Sequence, residues 1–244
     1  MYRPVGPEEL CLIAESGWSA FPPRRPQQPF FYPILQEEYA IKIASTWNVE
    51  SSACGFVTRF EVDAAYLAKQ QKRDAGGRSH QEYWIPASEL TLFNERIVGK
   101  ISLYREYFDD RWSWHYRLSE DRDKIDRVQR MTLSTPNQGL VADVALFGSD
   151  AWWSAILSGN IERNFVFGVL DEVLLTGHGD WPEIRVREWR GGVTRWNNIG
   201  GFDVSNVGSR VFIEYVEQRL RVTIPNRPTL SKVVLRAALL LGDG

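Results

Sequence analysis

Tyr107-Phe108-Asp109-Asp110-Arg111-Trp112-Ser113-Trp114-His115-Tyr116 is the stretch on which the reading of the fold turns. It opens a segment, 106 to 139, that continues through the charged run Glu120-Asp121-Arg122-Asp123-Lys124-Ile125-Asp126-Arg127 and closes on Pro136-Asn137-Gln138-Gly139, which is turn chemistry. The aromatic opening is too apolar for a free tether and is expected to pack on a neighbouring folded unit. The segment therefore reads as a connector, part helical, between a mixed α/β unit over residues 1–105 and a β-rich unit over 140–244. A chain of 244 residues suits two such cores.

In the first unit, a strand carrying Tyr2 and Arg3 precedes Pro7-Glu8-Glu9-Leu10-Cys11-Leu12-Ile13, a helix begun by proline and acids and stopped near Gly17. Five prolines between Phe21 and Pro33 exclude a regular helix or central strand there. Leu35, Tyr39, Ile43 and Trp47 recur every fourth residue and predict one face of a helix. Gly55 to Val62 alternates as a half-buried strand, with Phe56, Thr58, Phe60 and Val62 on one face. A short helix (Ala64 to Lys69), a polar loop (Gln70 to Ser79, containing Gly76-Gly77), a strand ending at Pro86, a short helix through Phe93 and a strand from Ile97 to Tyr104 complete the unit.

In the second unit, Ala151 to Leu157 reads as a short amphipathic helix capped by Ser149 or Asp150. Phe165 to Leu175, Glu183 to Trp189, Arg210 to Tyr215 and Val233 to Leu241 read as strands separated by glycine and proline, so a small barrel or curled sheet is expected. The fold class is α+β.

Composition narrows the function. Lys/Arg against Asp/Glu number 12 and 12 in residues 1–105, 6 and 7 in 106–139, and 11 and 12 in 140–244, so no segment carries the basic excess that long nucleic acid rewards. A protein partner is favoured. Cys11 and Cys54 have neither disulfide-framework nor zinc spacing, and no metal site is expected. No apolar run approaches a membrane span and Met1-Tyr2-Arg3-Pro4 lacks a signal-peptide core, so a cytoplasmic protein is expected. Gly-x-Ser-x-Gly, GxxxxGK[ST] and HExxH are all absent.

The informative motif is Ser79-His80-Gln81-Glu82-Tyr83-Trp84-Ile85-Pro86, in which a strand would set His80, Glu82 and Trp84 on one face. Together with Tyr2-Arg3 on the first strand and Phe31-Tyr32-Pro33 before a helix, its order along the chain resembles that of ADP-ribosyltransferase-like domains, over residues 1–105 only. The central strand reads Gly55-Phe56-Val57-Thr58, where that family carries Ser-Thr-Ser, and His80 stands where it usually has Gln or Glu. The resemblance implies NAD as substrate and transfer of ADP-ribose to a macromolecular target. It implies Glu82 as catalytic carboxylate with His80 beside it, and Arg3, Tyr2, Tyr32, Thr58 and Trp84 around the dinucleotide. A carboxylate there would stabilise the oxocarbenium-like charge that develops on the ribose, and a guanidinium suits pyrophosphate.

The alternative is a non-catalytic interaction protein that keeps an enzyme-like fold, with Glu82 an ordinary strand residue. A second cluster, His178, Asp180 and Glu183, could serve metal or acid–base work, but Gly177-His178-Gly179-Asp180 is equally a hairpin turn. The tryptophans, ten in all, are better read as core than as a stacking platform.

Overall fold

The computed structural model of the protein describes residues 1–75, 80–174, 181–221 and 229–241. The chain divides into two units, Met1–Arg111 and Trp112–Gly244.

In unit 1, β1 (Tyr2–Val5) leads into α1 (Pro7–Glu15), where Pro7 sits at the first turn, Glu8 and Glu9 complement the helix dipole, and Leu10, Cys11, Ile13 and Ala14 are buried. β2 (Phe30–Phe31) follows the proline-rich stretch. α2 (Glu37–Ile43) then passes into a π-helical turn, Ala44–Asn48, and α3 (Val49–Ser52). After it come β3 (Cys54–Val62), α4 (Ala64–Leu67), β4 (Lys72–Asp74), β5 (Gln81–Tyr83), β6 (Ile85–Pro86), α5 (Leu90–Glu95) and β7 (Ile97–Phe108). β1, β3 and β7 form an antiparallel sheet with β3 central, while β2 pairs β6 and β4 pairs β5. Phe21, Phe31, Phe60 and Phe93 pack in the core edge to face or, for Phe21 on Phe31, tilted.

The expected helical face running from Leu35 to Trp47 is broken. The wider π turn shifts the register at Ala44, and Trp47 emerges 62% exposed instead of following Tyr39 and Ile43 inward. Gly55 accounts for the closeness of the neighbouring strand: a Cβ there would lie 2.0 Å from the Ala44 carbonyl oxygen. β3 also differs from a half-buried strand, since Phe56, Val57 and Thr58 are all fully buried and both faces of its first half are covered.

Unit 2 begins with β8 (Trp112–Arg117), followed by α6 (Arg122–Ser134) and α7 (Asp150–Leu157). Asp121 caps α6 by accepting from the Lys124 N–H at 3.1 Å, and Ser149 caps α7 by accepting from the Trp152 N–H at 3.2 Å. The remaining strands are β9 (Asn164–Leu174), β10 (Glu183–Glu188), β11 (Val193–Asn197), β12 (Arg210–Arg219) and β13 (Leu230–Leu240). They form one antiparallel sheet ordered β11-β10-β9-β12-β13-β8.

Of the small barrel or curled sheet expected, the closed barrel is not formed: the strands make one open antiparallel sheet. β11 and β8 stand at its two ends and do not pair with each other. β8 comes from the stretch expected to be connector, where Trp112 and Trp114 lie opposite Leu240 and Ala238 of β13. One face of the sheet buries Val166, Leu170, Val211, Ile213 and Leu239 with Trp196 and Phe202. The other sets Val216, Val233 and Leu235 against Trp152 and Ile156 of α7 and Ile125 of α6. Beyond them on β12, Glu214 is 3% exposed and lies between Arg163, at 2.5 Å, and Arg236. An ion pair so desolvated holds only because two guanidiniums share one carboxylate.

Candidate functional site

A cleft of about 500 Å3 opens in unit 1, lined by Arg3 of β1, Glu9 of α1, Arg24 and Tyr32 from the proline-rich stretch, Tyr39, Trp47 and Asn48 from the α2–π segment, and Glu82 and Trp84. Glu82 reaches it because β5 pairs β4 on one side and bridges Ile34 on the other, which buries the residue to 8% exposure. Burial raises the Glu82 carboxyl pKa above its ordinary value, partly offset by the Trp84 indole N–H donating at 2.8 Å and by the Arg3 charge. Trp84 is fixed in turn by the Arg73 guanidinium 4.0 Å above its ring, by a tilted contact with Phe30 and by an edge contact with Tyr32.

Four residues singled out in the sequence, Arg3, Tyr32, Glu82 and Trp84, thus share one cleft. The other three are placed differently. Tyr2 donates its hydroxyl to Glu37 at 3.4 Å. Thr58 is fully buried behind β1, its Oγ1 donating to the Arg3 carbonyl. His80 stacks on Tyr39 with ring centres 4.3 Å apart. Arg3 is itself engaged, its Nε and Nη2 donating to the two carboxylate oxygens of Glu9 at 3.0 and 3.1 Å. Arg24 approaches the same carboxylate at 3.7 Å. Sequence reasoning passed over Glu9, Arg24, Tyr39, Trp47 and Asn48. The Pro-Pro before Arg24 marked a fixed loop, and nothing in the residue order said which way it faces. His178 and Asp180 lie outside the described residues, and among the described residues no three His, Cys, Asp or Glu side chains are grouped to hold a metal.

In unit 2, β11 offers a different kind of surface. The Glu188 N–H donates to the Gly192 carbonyl and the Asn198 N–H to that of Pro182, so the even-numbered residues of β11 bond to β10. By the alternation of an antiparallel ladder, the backbone groups of Val193, Arg195 and Asn197 point away from the sheet, the Asn197 carbonyl there accepting from the Ile199 N–H at 2.8 Å. Among the described residues no strand pairs with that side. The side chains of these three residues are exposed, as is Trp189 just before them.

Among the described residues no helix is long and apolar enough to cross a membrane. Residues 112–239 match the family model of the immunity protein RhsI2. No curated protein matches the chain. The matched span runs from the first residue of β8 into β13, taking in all six strands up to the last residue but one of β13, and begins where unit 2 begins. The match corrects the expected ADP-ribosyltransferase membership, and the transferase and NAD reading goes with it. That resemblance rested on short motifs in order along residues 1–105, outside the matched span, and the arginine assigned to pyrophosphate is already held by Glu9 at both forks.

Proposed function

We propose that this protein binds a protein toxin and blocks it stoichiometrically, on the premise that the chain belongs to the RhsI2 immunity-protein family. The match across all six strands of the sheet carries this reading, and it favours the interaction protein over the enzyme. The outward backbone of β11 supports a place for the contact, because an unpaired edge is a template for an added strand. The toxin would lay an extended segment along Val193–Asn197, with main-chain bonds giving affinity and the exposed Val193 and Trp189 giving apolar contact.

The test is titrated co-expression of the full chain with its toxin, followed by isolation of the complex. Expected are a complex of fixed stoichiometry and protection that is lost once toxin exceeds the immunity protein. Protection persisting at about one molecule to ten of toxin would show catalytic removal instead and sink the reading. The place of contact has its own test. Arg195→Pro removes an outward-pointing N–H together with the exposed Arg195 side chain, so it is expected to leave the fold intact yet weaken the complex by about tenfold or more, near 1.4 kcal/mol. Unchanged affinity in calorimetry would move the contact away from β11.

A further inference from the structure

The unit 1 cleft lies outside the matched span, and toxin binding leaves it without a role. Its volume of about 500 Å3 falls among sites that enclose small molecules, roughly 300–1,000 Å3. The lining is of two kinds. Trp47, Trp84, Tyr32 and Tyr39 supply aromatic surface, and Arg24, Gln28, Asn48 and Glu82 supply planar polar groups that bond in pairs. Trp47 stands 62% exposed at the cleft, carried there by the π turn, a distortion that recurs at functional sites because it spends regular helix geometry to aim a side chain.

The two guanidiniums are not equally paired. Glu9 is taken by Arg3 through both its oxygens, and Arg24 reaches that carboxylate only at 3.7 Å with its side chain 8% exposed. Burial first, then the adjacent Arg3, lower the Arg24 pKa against the opposing pull of Glu9. Glu82 accepts the Trp84 indole N–H through one oxygen at 2.8 Å and leaves the other to accept from a ligand hydroxyl. What remains is a guanidinium, that of Arg24, with no carboxylate closer than 3.7 Å, a set of groups suited to neighbouring hydroxyls, and a tryptophan face for the apolar side of a ring.

We infer that this cleft binds a small acidic sugar, a monosaccharide carrying one carboxylate or one phosphate, with the anion on Arg24, the hydroxyls on Gln28, Asn48 and Glu82, and the ring against Trp47. The site is independent of toxin binding.

Calorimetric titration of the full chain, without toxin, tests it with glucuronate and glucose 6-phosphate, using glucose and adenosine monophosphate for comparison. At least one acidic sugar is expected to bind with a Kd of about 1 mM or tighter, and glucose about tenfold more weakly or worse. Which of the two binds distinguishes carboxylate from phosphate. Arg24→Gln and Trp47→Ala are each expected to weaken that binding about tenfold or more, and Trp47→Phe to recover part of it. Trp47 is exposed, so its variants keep the test valid should Arg24→Gln fail to fold. Absence of binding by both acidic sugars, unchanged affinity in Trp47→Ala, or tighter binding of adenosine monophosphate than of either would overturn the assignment.

Discussion

Two buried carboxylates, one in each unit, are set in opposite directions. Around Glu214, burial pushes the pKa up, but Arg163 and Arg236 outweigh it and hold the carboxyl below its ordinary 4.5. A depressed folded pKa contributes stability that is fully present above the ordinary value and disappears as pH falls through the lower folded value. Glu214→Gln leaves two guanidiniums facing no anion in a desolvated place and is expected to cost about 3–5 kcal/mol in denaturant unfolding at pH 7. The loss should shrink as wild type is acidified below pH 4.5. Glu82 behaves in the contrary sense. Its raised folded pKa means wild type gains stability as pH falls towards and through that value, so Glu82→Gln, which keeps the Trp84 hydrogen bond, is expected to be more stable than wild type at pH 7. The two proteins should converge near pH 4, and a Gln variant less stable at neutral pH would contradict this account. Glu82 and Trp84 were legible in the sequence because strand periodicity put them on one side of a short segment. Arg24 and Glu9 were not, since 15 residues and a helix end separate them and only tertiary packing brings them to one carboxylate–guanidinium cluster.

Among the elements, the π turn and β3 are one construction. The carbonyl of Ala44 approaches the backbone of Gly55 closer than any side chain allows, so Gly55→Ala must push the strand from the helix or restore the missing register. Overpacking of this kind is expected to destabilise by about 1–3 kcal/mol, read from the unfolding midpoint, and to alter the fluorescence of exposed Trp47 as the turn is displaced. A four-residue repeat of apolar positions cannot foretell such a turn, because the repeat is identical whether the fourth member lands in the core or in water. β8 escaped the sequence reading for a related reason. Its aromatics are flanked by Asp109, Asp110 and Arg111 on one side and a charged helix on the other, and their partners, Ala238 and Leu240, lie at the far end of the chain. β11 was hidden by its length and by Gly191-Gly192 before it. The long strands β9, β12 and β13 were legible because each is apolar over enough residues to declare itself, whereas whether a sheet closes is decided by strand order, which no local pattern encodes.

Across the whole molecule, charge is nearly even. The chain has 29 Lys/Arg against 31 Asp/Glu, and residues 112–244 carry 16 of each. An interface drawn from so balanced a surface does not steer its partner from a distance, so association with toxin is expected to be nearly insensitive to salt. Stopped-flow measurement should show the on-rate changing by less than about threefold between low and high ionic strength. A steep fall would mean that a local charged patch governs the encounter. The order β11-β10-β9-β12-β13-β8 has a further consequence, for timing. Its outermost strand at one end is the first of the unit to be synthesised and its partner is the last, so Trp112–Arg117 leaves the ribosome with nothing to pair against until Leu230–Leu240 has followed. Each new molecule is thus without its finished sheet until β13 has been made. On the toxin-blocking role proposed above, only completed copies would protect, since a chain still being made lacks β13.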